Sequence, residues 1–293
     1  MKIQSEKDRL KVSFFHKTPL TCPVCGNVFR KEVMMSGGGR LIAKEITDEL
    51  RRIYVPSKKL LEINKDINPL IYCVIVCPEC LYATFEEDFY AIPESIREEA
   101  LSHTNKRKRN VQLIFPILDF SKERNLFTGT ASYMLAISCY SYIPKEKAPT
   151  FKKGLCSLRA AWLFDDLNSR YPSQNYDVIR DMMYRKAMYY YDKSLEYMQS
   201  GEERIDLVKN MGPDLDKNWG YQGLLYLSTL LLYKYGDTGD VGDRVKKLNR
   251  ARIIISRVFG NGKSSKEKPS YILEKSKELY DRIRSEIEGL NAS

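Results

Sequence analysis

Two cysteine pairs constrain this chain more than any other feature. Cys22-Pro-Val-Cys25-Gly26 and Cys77-Pro-Glu-Cys80 each set two thiols at the ends of a tight turn. Such a turn presents both sulfurs on one side, with backbone amides able to point at them. Two turns together offer four thiolates at about 2.3 Å from a common centre, the tetrahedron that zinc accepts without redox change. The proline after the first cysteine and the glycine after the second favour this knuckle. The expected zinc ligands are therefore Cys22, Cys25, Cys77 and Cys80, and a site closed by four sulfurs is structural rather than catalytic. A dithiol redox pair is the competing reading of either turn.

Fifty-one residues separate the pairs, far more than a minimal zinc ribbon needs. The insertion must fold onto the ribbon or protrude from it. The apolar run Leu70–Val76 leads into the second knuckle as a ribbon strand would. Cys73, four residues before Cys77, is either a substitute ligand or a buried apolar residue. Cys139 and Cys156 fall on helical apolar faces, where a thiol packs as a small hydrophobe.

Hydrophobic residues make up 43% of the 293, enough for a core and too many for a disordered chain. Leu70–Val76 is too short to cross a bilayer, and the richer Leu224–Tyr233 is interrupted by Ser228 and Thr229. Met1–Leu10 is charged and lacks the apolar centre of a secretory signal. These features lead us to expect a soluble, cytoplasmic protein with reduced thiols. The net charge of +10 favours acidic partners, nucleic acid among them.

Two domains are expected, residues 1–95 around the cysteines and 96–293 beyond. Residues 1–18 form a polar lead-in. Ser36–Gly39 reads as a flexible loop, and Ile42, Ile46, Leu50 and Ile53 suggest an amphipathic helix over Ile42–Tyr54. From Glu86 onward the periodicity is helical. Stripes run through Leu155, Leu158 and Trp162, then Met183, Ala187, Tyr191, Leu195 and Met198. Two more follow, Leu224, Leu227 and Leu231, then Leu279, Ile283, Ile287 and Leu290, with Gly289 as a stop. Breaks fall at Pro144 and Pro149, Pro172, Gly212-Pro213, Gly236–Gly239 and Gly260–Gly262, and Pro269 follows the last repeat-like unit, Leu224–Tyr235 with Ala251–Phe259. The fold class is mainly α: a small N-terminal β zinc ribbon with a helical insertion, then an antiparallel helical array. That array is tetratricopeptide-like in logic but follows no strict period.

Several segments together resemble a known bacterial family. They are Thr21–Phe29, Ile67-Asn68-Pro69-Leu70-Ile71-Tyr72, Cys77–Ala83, Phe85-Glu86-Glu87-Asp88-Phe89 and Arg159-Ala160-Ala161-Trp162-Leu163. The family is a domain of unknown function, with a cysteine-rich front followed by tetratricopeptide-like helices. The resemblance spans roughly residues 12 to 290. It implies this fold and a zinc site, and no activity. Leu81 stands where glycine is expected after the fourth cysteine.

Other constellations are weaker. Lys106, Arg107, Lys108 and Arg109 could contact nucleic-acid phosphates, although no aromatic is interleaved with them; otherwise they form a solvated loop. Tyr189, Tyr190 and Tyr191 cannot share one helix face, so some pack and some are exposed. Glu86, Glu87 and Asp88 suit the start of a helix, and Asp165 and Asp166 a solvated face. The Gly37–Arg40 loop lacks the ending of a phosphate loop. His16 and His103 are too few for a Cys–His or Ser–His–Asp centre. The function expected is a non-enzymatic scaffold or adaptor. It would bind a protein or peptide on a helical face sought among Tyr184, Tyr191, Trp219, Tyr226 and Tyr233. The alternative is a nucleic-acid-binding regulator using the ribbon and the basic quartet.

Overall fold

The computed structural model describes residues 12–35, 41–56, 68–236, 239–259 and 270–292. The first part of the lead-in, the Ser36–Gly39 loop, the Gly260–Gly262 break and Pro269 lie outside them. The chain divides into two compact units, to Tyr142 and from Ile143.

Among the described residues the first unit has four short antiparallel strand pairs. β1 (Ser13–Phe15) pairs with β4 (Glu32–Met34), and nested between them in sequence β2 (Leu20–Thr21) pairs with β3 (Val28–Phe29). β5 (Leu41–Ile46) pairs with β6 (Arg52–Pro56), and β7 (Val74–Val76) with β8 (Ala83–Phe85). Strands this short carry too few ladder bonds to persist alone. Phe89 links two of the hairpins through its ring, 6.0 Å from Phe29 and 5.5 Å from Tyr82.

The expected helix over Ile42–Tyr54 is replaced by the β5–β6 hairpin. Its turn is closed by the Leu50 amide donating to the Thr47 carbonyl and the Thr47 amide donating to that of Arg51, both at 2.9 Å. Leu50 sits buried at φ 61°, a left-handed value that no helix interior uses. Ile42, Ile46, Thr47, Ile53 and Val55 are β-branched, and such residues are stiff in helices and at ease in strands. The apolar spacing fitted period 3.6, but the turn and the side-chain type decided the outcome.

β7 and β8 are buried along their whole length. Their cover is a helix of this unit, α3 (Leu126–Cys139), which follows α1 (Arg97–Ser102) and α2 (Thr104–Gln112). The start of α3 is fixed by a capping box between Asn125 and Thr128. Gly129 brings α3 against the 3-10 turn Pro69–Tyr72; a Cβ there would meet the Ile71 side chain at 2.5 Å. One turn on, the Tyr133 hydroxyl donates to the Leu70 carbonyl at 2.7 Å. Glu86–Asp88 forms a 3-10 turn, and Asp88 is buried, accepting from the Tyr140 hydroxyl at 2.9 Å.

Among the described residues the second unit has five α-helices: α4 (Pro149–Arg170), α5 (Tyr176–Ser200), α6 (Gly220–Tyr235), α7 (Val241–Phe259) and α8 (Ser270–Ala292). Each packs on the next, and α6 also meets α8. The apolar stripes read from the sequence supply the core: Leu155, Leu158, Trp162, Ala187, Tyr191, Leu224, Leu227, Leu231, Leu279 and Ile283 are all buried. α4 begins on Pro149, and the buried Glu203 carboxylate accepts from the Thr150 amide at 3.1 Å and its hydroxyl at 2.6 Å. Arg159, from the Arg-Ala-Ala-Trp-Leu stretch, donates through Nε to the Pro213 carbonyl at 2.7 Å and so ties down the long α5–α6 connection. Gly289 does not stop the last helix; α8 runs through it to Ala292, since a single glycine costs a helix only about 1 kcal/mol.

Candidate metal centre

Each cysteine pair sits at the tip of a hairpin, Cys22 and Cys25 between β2 and β3, Cys77 and Cys80 between β7 and β8. The two tips repeat one backbone pattern. The Cys22 amide donates to the Asn27 carbonyl at 2.8 Å, and the Gly26 amide to the Cys22 carbonyl at 3.0 Å. In the second tip the Cys77 amide donates to the Tyr82 carbonyl at 2.9 Å, and the Leu81 amide to the Cys77 carbonyl at 3.0 Å. The residue after each second cysteine is left-handed, Gly26 at φ 74° and Leu81 at φ 56°. Glycine meets that demand freely; leucine meets it at a strain of about 1–2 kcal/mol. The missing glycine therefore leaves the second knuckle's shape unchanged.

Four sulfurs from the two tips come together, all within 4.8 Å of one another. Cys22 Sγ lies 3.7 Å from Cys80 Sγ, and Cys25 Sγ 3.6 Å from Cys77 Sγ. A tetrahedron with metal–sulfur bonds of about 2.3 Å has edges of about 3.8 Å, so the observed spacing fits a four-thiolate metal site. It is far too long for disulfides. Cys22, Cys77 and Cys80 are buried and Cys25 half-buried. Cys73 lies outside this cluster, at the end of the 3-10 turn, its thiol directed to the Pro69 carbonyl at 3.6 Å.

Without a cation the sulfurs compete for protons. Hydrogen bonds from Cys22 and Cys80 pull the Cys77 thiol far down, and amides of its own turn add to this. Cys22 is pushed up to about 12, chiefly by its hydrogen bond to Cys77. Cys80 is pushed up by its bonds to Cys22 and Cys77, and by burial. A divalent ion bound by all four sulfurs would displace the thiol protons and release them.

The surrounding residues hold the second knuckle in place. Arg107 of α2 is buried; its Nε and Nη2 donate to the Cys80 carbonyl at 3.0 and 2.8 Å, and Nη1 to the Ala100 carbonyl at 2.7 Å. Asn27 Nδ2 lies 3.9 Å from Cys77 Sγ. Cys139 of α3 accepts from the Ala83 amide at 3.3 Å, and burial pushes its thiol up to about 11. The Tyr140 hydroxyl accepts from the Phe85 amide at 3.1 Å. In the sequence Arg107 is one of four consecutive cations, and nothing separates it from the rest. The helical phase of α2 turns Arg107 inward and leaves Lys106 and Arg109 exposed, with Lys108 half-buried.

The five aromatics named as a partner face do not form an open one. Tyr184, Tyr191, Trp219 and Tyr226 are buried in the second unit. Tyr184 stacks on Tyr235 at 4.4 Å between centroids, Tyr191 meets Phe151 at 5.9 Å, and Trp219 lies against Tyr271 at 5.6 Å. Tyr233 is half-buried, with the guanidinium groups of Arg244 and Arg282 each over its ring at 5.6 and 5.7 Å.

Hairpins joined through a four-cysteine cluster, followed by a helical array, define the class of protein. The chain belongs to the family described as "Uncharacterized protein conserved in bacteria (DUF2225)", which it matches over residues 15–283. It is 39% identical over 281 residues to an uncharacterized protein of Borreliella burgdorferi, covering 96% of this chain and 99% of that one. No solved structure matches it. Among the described residues no helix is long and apolar enough to cross a membrane.

Proposed function

We propose that the four cysteines hold one structural zinc ion in a reducing, cytoplasmic setting. We propose further that the protein is a non-enzymatic interaction scaffold whose helical array receives a protein or peptide. The closed sulfur tetrahedron carries the metal reading. Four thiolates fill the coordination of zinc and leave no position for a substrate or an activated water. The cysteine-bearing hairpins have strands of only two and three residues, so an ion joining their tips supplies order that so short a ladder would not. The scaffold reading is supported by the second unit, a series of packed helices with a groove between α5 and α7. Arg107 is committed to the Cys80 carbonyl, which weakens the case for a nucleic-acid surface on the basic quartet.

Two measurements test this on the full chain. Elemental analysis after purification should give one zinc per chain, lost in Cys22→Ser and Cys77→Ser. Crosslinking in bacterial cells should join the helical unit to a defined protein. Metal-free material of native secondary structure, or crosslinks to nucleic acid alone, would defeat the proposal.

A further inference from the structure

The second unit has a groove of about 470 Å³ between the C-terminal half of α5 and the face of α7. Its floor is apolar: Leu195 and Ile254 are buried, and Ile253 is 57% exposed although it is a large aliphatic side chain. Lys246, Arg250, Ile253 and Arg257 recur at spacings of four, three and four, so they form one ridge of α7.

The three cations of that ridge are not equivalent. Arg250, in the middle, is neutralised from across the groove by Asp192 at 2.9 Å and Glu196 at 2.7 Å. Lys246 and Arg257 are exposed and have no ion pair among the described residues. Lys193 also holds Glu196, at 2.8 Å, so the charges at the middle of the groove balance, and one positive charge without an ion pair among the described residues stands at each end. Eleven residues of helix set those charges about 16 Å apart along the axis.

We propose that this groove is the docking site of the scaffold and that its occupant is an acidic amphipathic segment of a partner protein. The segment would lay an aliphatic side chain on Ile253 and Ile254 and set carboxylates against Lys246 and Arg257. This rests on the scaffold reading and names its site. Arg250, the cation at the centre, is already paired with Asp192 and Glu196 and is not open to a phosphate backbone, so a peptide with charges only at its ends fits better than nucleic acid. The groove also lacks the aromatic platform on which unpaired bases stack.

The test uses the full chain loaded with zinc and a display library of 16-residue peptides. Enriched sequences should pair acidic residues near both ends with an aliphatic centre. Lys246→Glu with Arg257→Glu should weaken the best peptide at least tenfold, with helicity by circular dichroism unchanged. Ile253→Ser should weaken it while leaving the salt dependence of binding as it was. Enrichment of basic sequences or of none, binding indifferent to the double charge reversal, or tighter binding of a 20-base DNA duplex lost on that reversal would each overturn the proposal. Crosslinking in cells separates the two levels. A protein partner retained by the double variant leaves the scaffold standing and removes this groove from it, whereas no protein partner for the wild type removes both.

Discussion

The Arg107 guanidinium grips the Cys80 carbonyl with two hydrogen bonds, at 3.0 and 2.8 Å, and thereby clamps the last cysteine of the cluster to α2. The same group holds the Ala100 carbonyl at the end of α1. A lysine has the charge but not the planar fork that makes these bonds together. Arg107→Lys and Arg107→Ala should each cost about 2 kcal/mol by leaving buried carbonyls without donors. Both should quicken zinc loss to a colorimetric chelator. Lys106→Ala and Arg109→Ala, on the exposed side, should change stability by no more than about 0.5 kcal/mol. Equal effects at all three positions would mean that the clamp does nothing.

The metal itself should be separable from the thiols that merely pack. Cys77→Ser should lower zinc affinity sharply, while Cys73→Ser should retain wild-type stoichiometry, because its sulfur stands outside the tetrahedron. Zinc binding to the apo-protein should release protons, and chelation should lower the unfolding temperature, since binding energy in such small elements is folding energy. Zinc titration of apo-protein in weak buffer, with the pH followed, reads the first effect, and thermal unfolding with and without chelator reads the second.

Gly129 lets α3 approach the Pro69–Tyr72 turn so closely that any side chain there strikes Ile71. Gly129→Ala should destabilise by about 1–3 kcal/mol despite alanine's better helix propensity. Combining it with Ile71→Ala should cost less than the sum of the two changes, as expected for residues sharing one space. Chemical denaturation of the four proteins supplies the cycle.

Glu203 caps α4 while its carboxyl is buried, and burial raises it above the ordinary 4.5. A carboxyl raised in the native state favours folding when protonated, and that contribution fades as pH rises through the native value. Glu203→Gln keeps acceptors near Thr150 and removes the titration. Wild-type stability relative to this variant should therefore fall as the pH rises from 4 towards 7, measured by urea unfolding. Glu203→Ala, which leaves the Thr150 amide uncapped, should be less stable than Glu203→Gln by about 1 kcal/mol at any pH in that range. A pH-independent difference between wild type and the Gln variant would contradict the burial argument.

The cysteine tips were legible because a Cys-x-x-Cys turn encodes its own geometry within five residues. The helical stripes were legible because Leu224, Leu227 and Leu231 repeat a face that burial then selects. The Ile42–Tyr54 stretch misled because four apolar residues at helical spacing also occupy a β-hairpin whose turn depends on one left-handed leucine. Arg107 was invisible among its neighbours, since only the phase of α2 against the knuckle distinguishes it. The tyrosines were chosen by type, and type does not reveal that a ring such as Tyr191 lies wholly inside, between α4 and α5.

Leu81 carries a consequence for how the cluster could be handled as a fragment. The first tip, turning on Gly26, can form in a short peptide without backbone penalty. The second turns on a leucine that holds its strained dihedral only while its side chain is sheltered by the rest of the unit. A synthetic segment spanning residues 19–30 should take up a metal ion more readily than one spanning 74–86. Two halves of one centre, alike in outline, thus differ in how much of the molecule each must bring along.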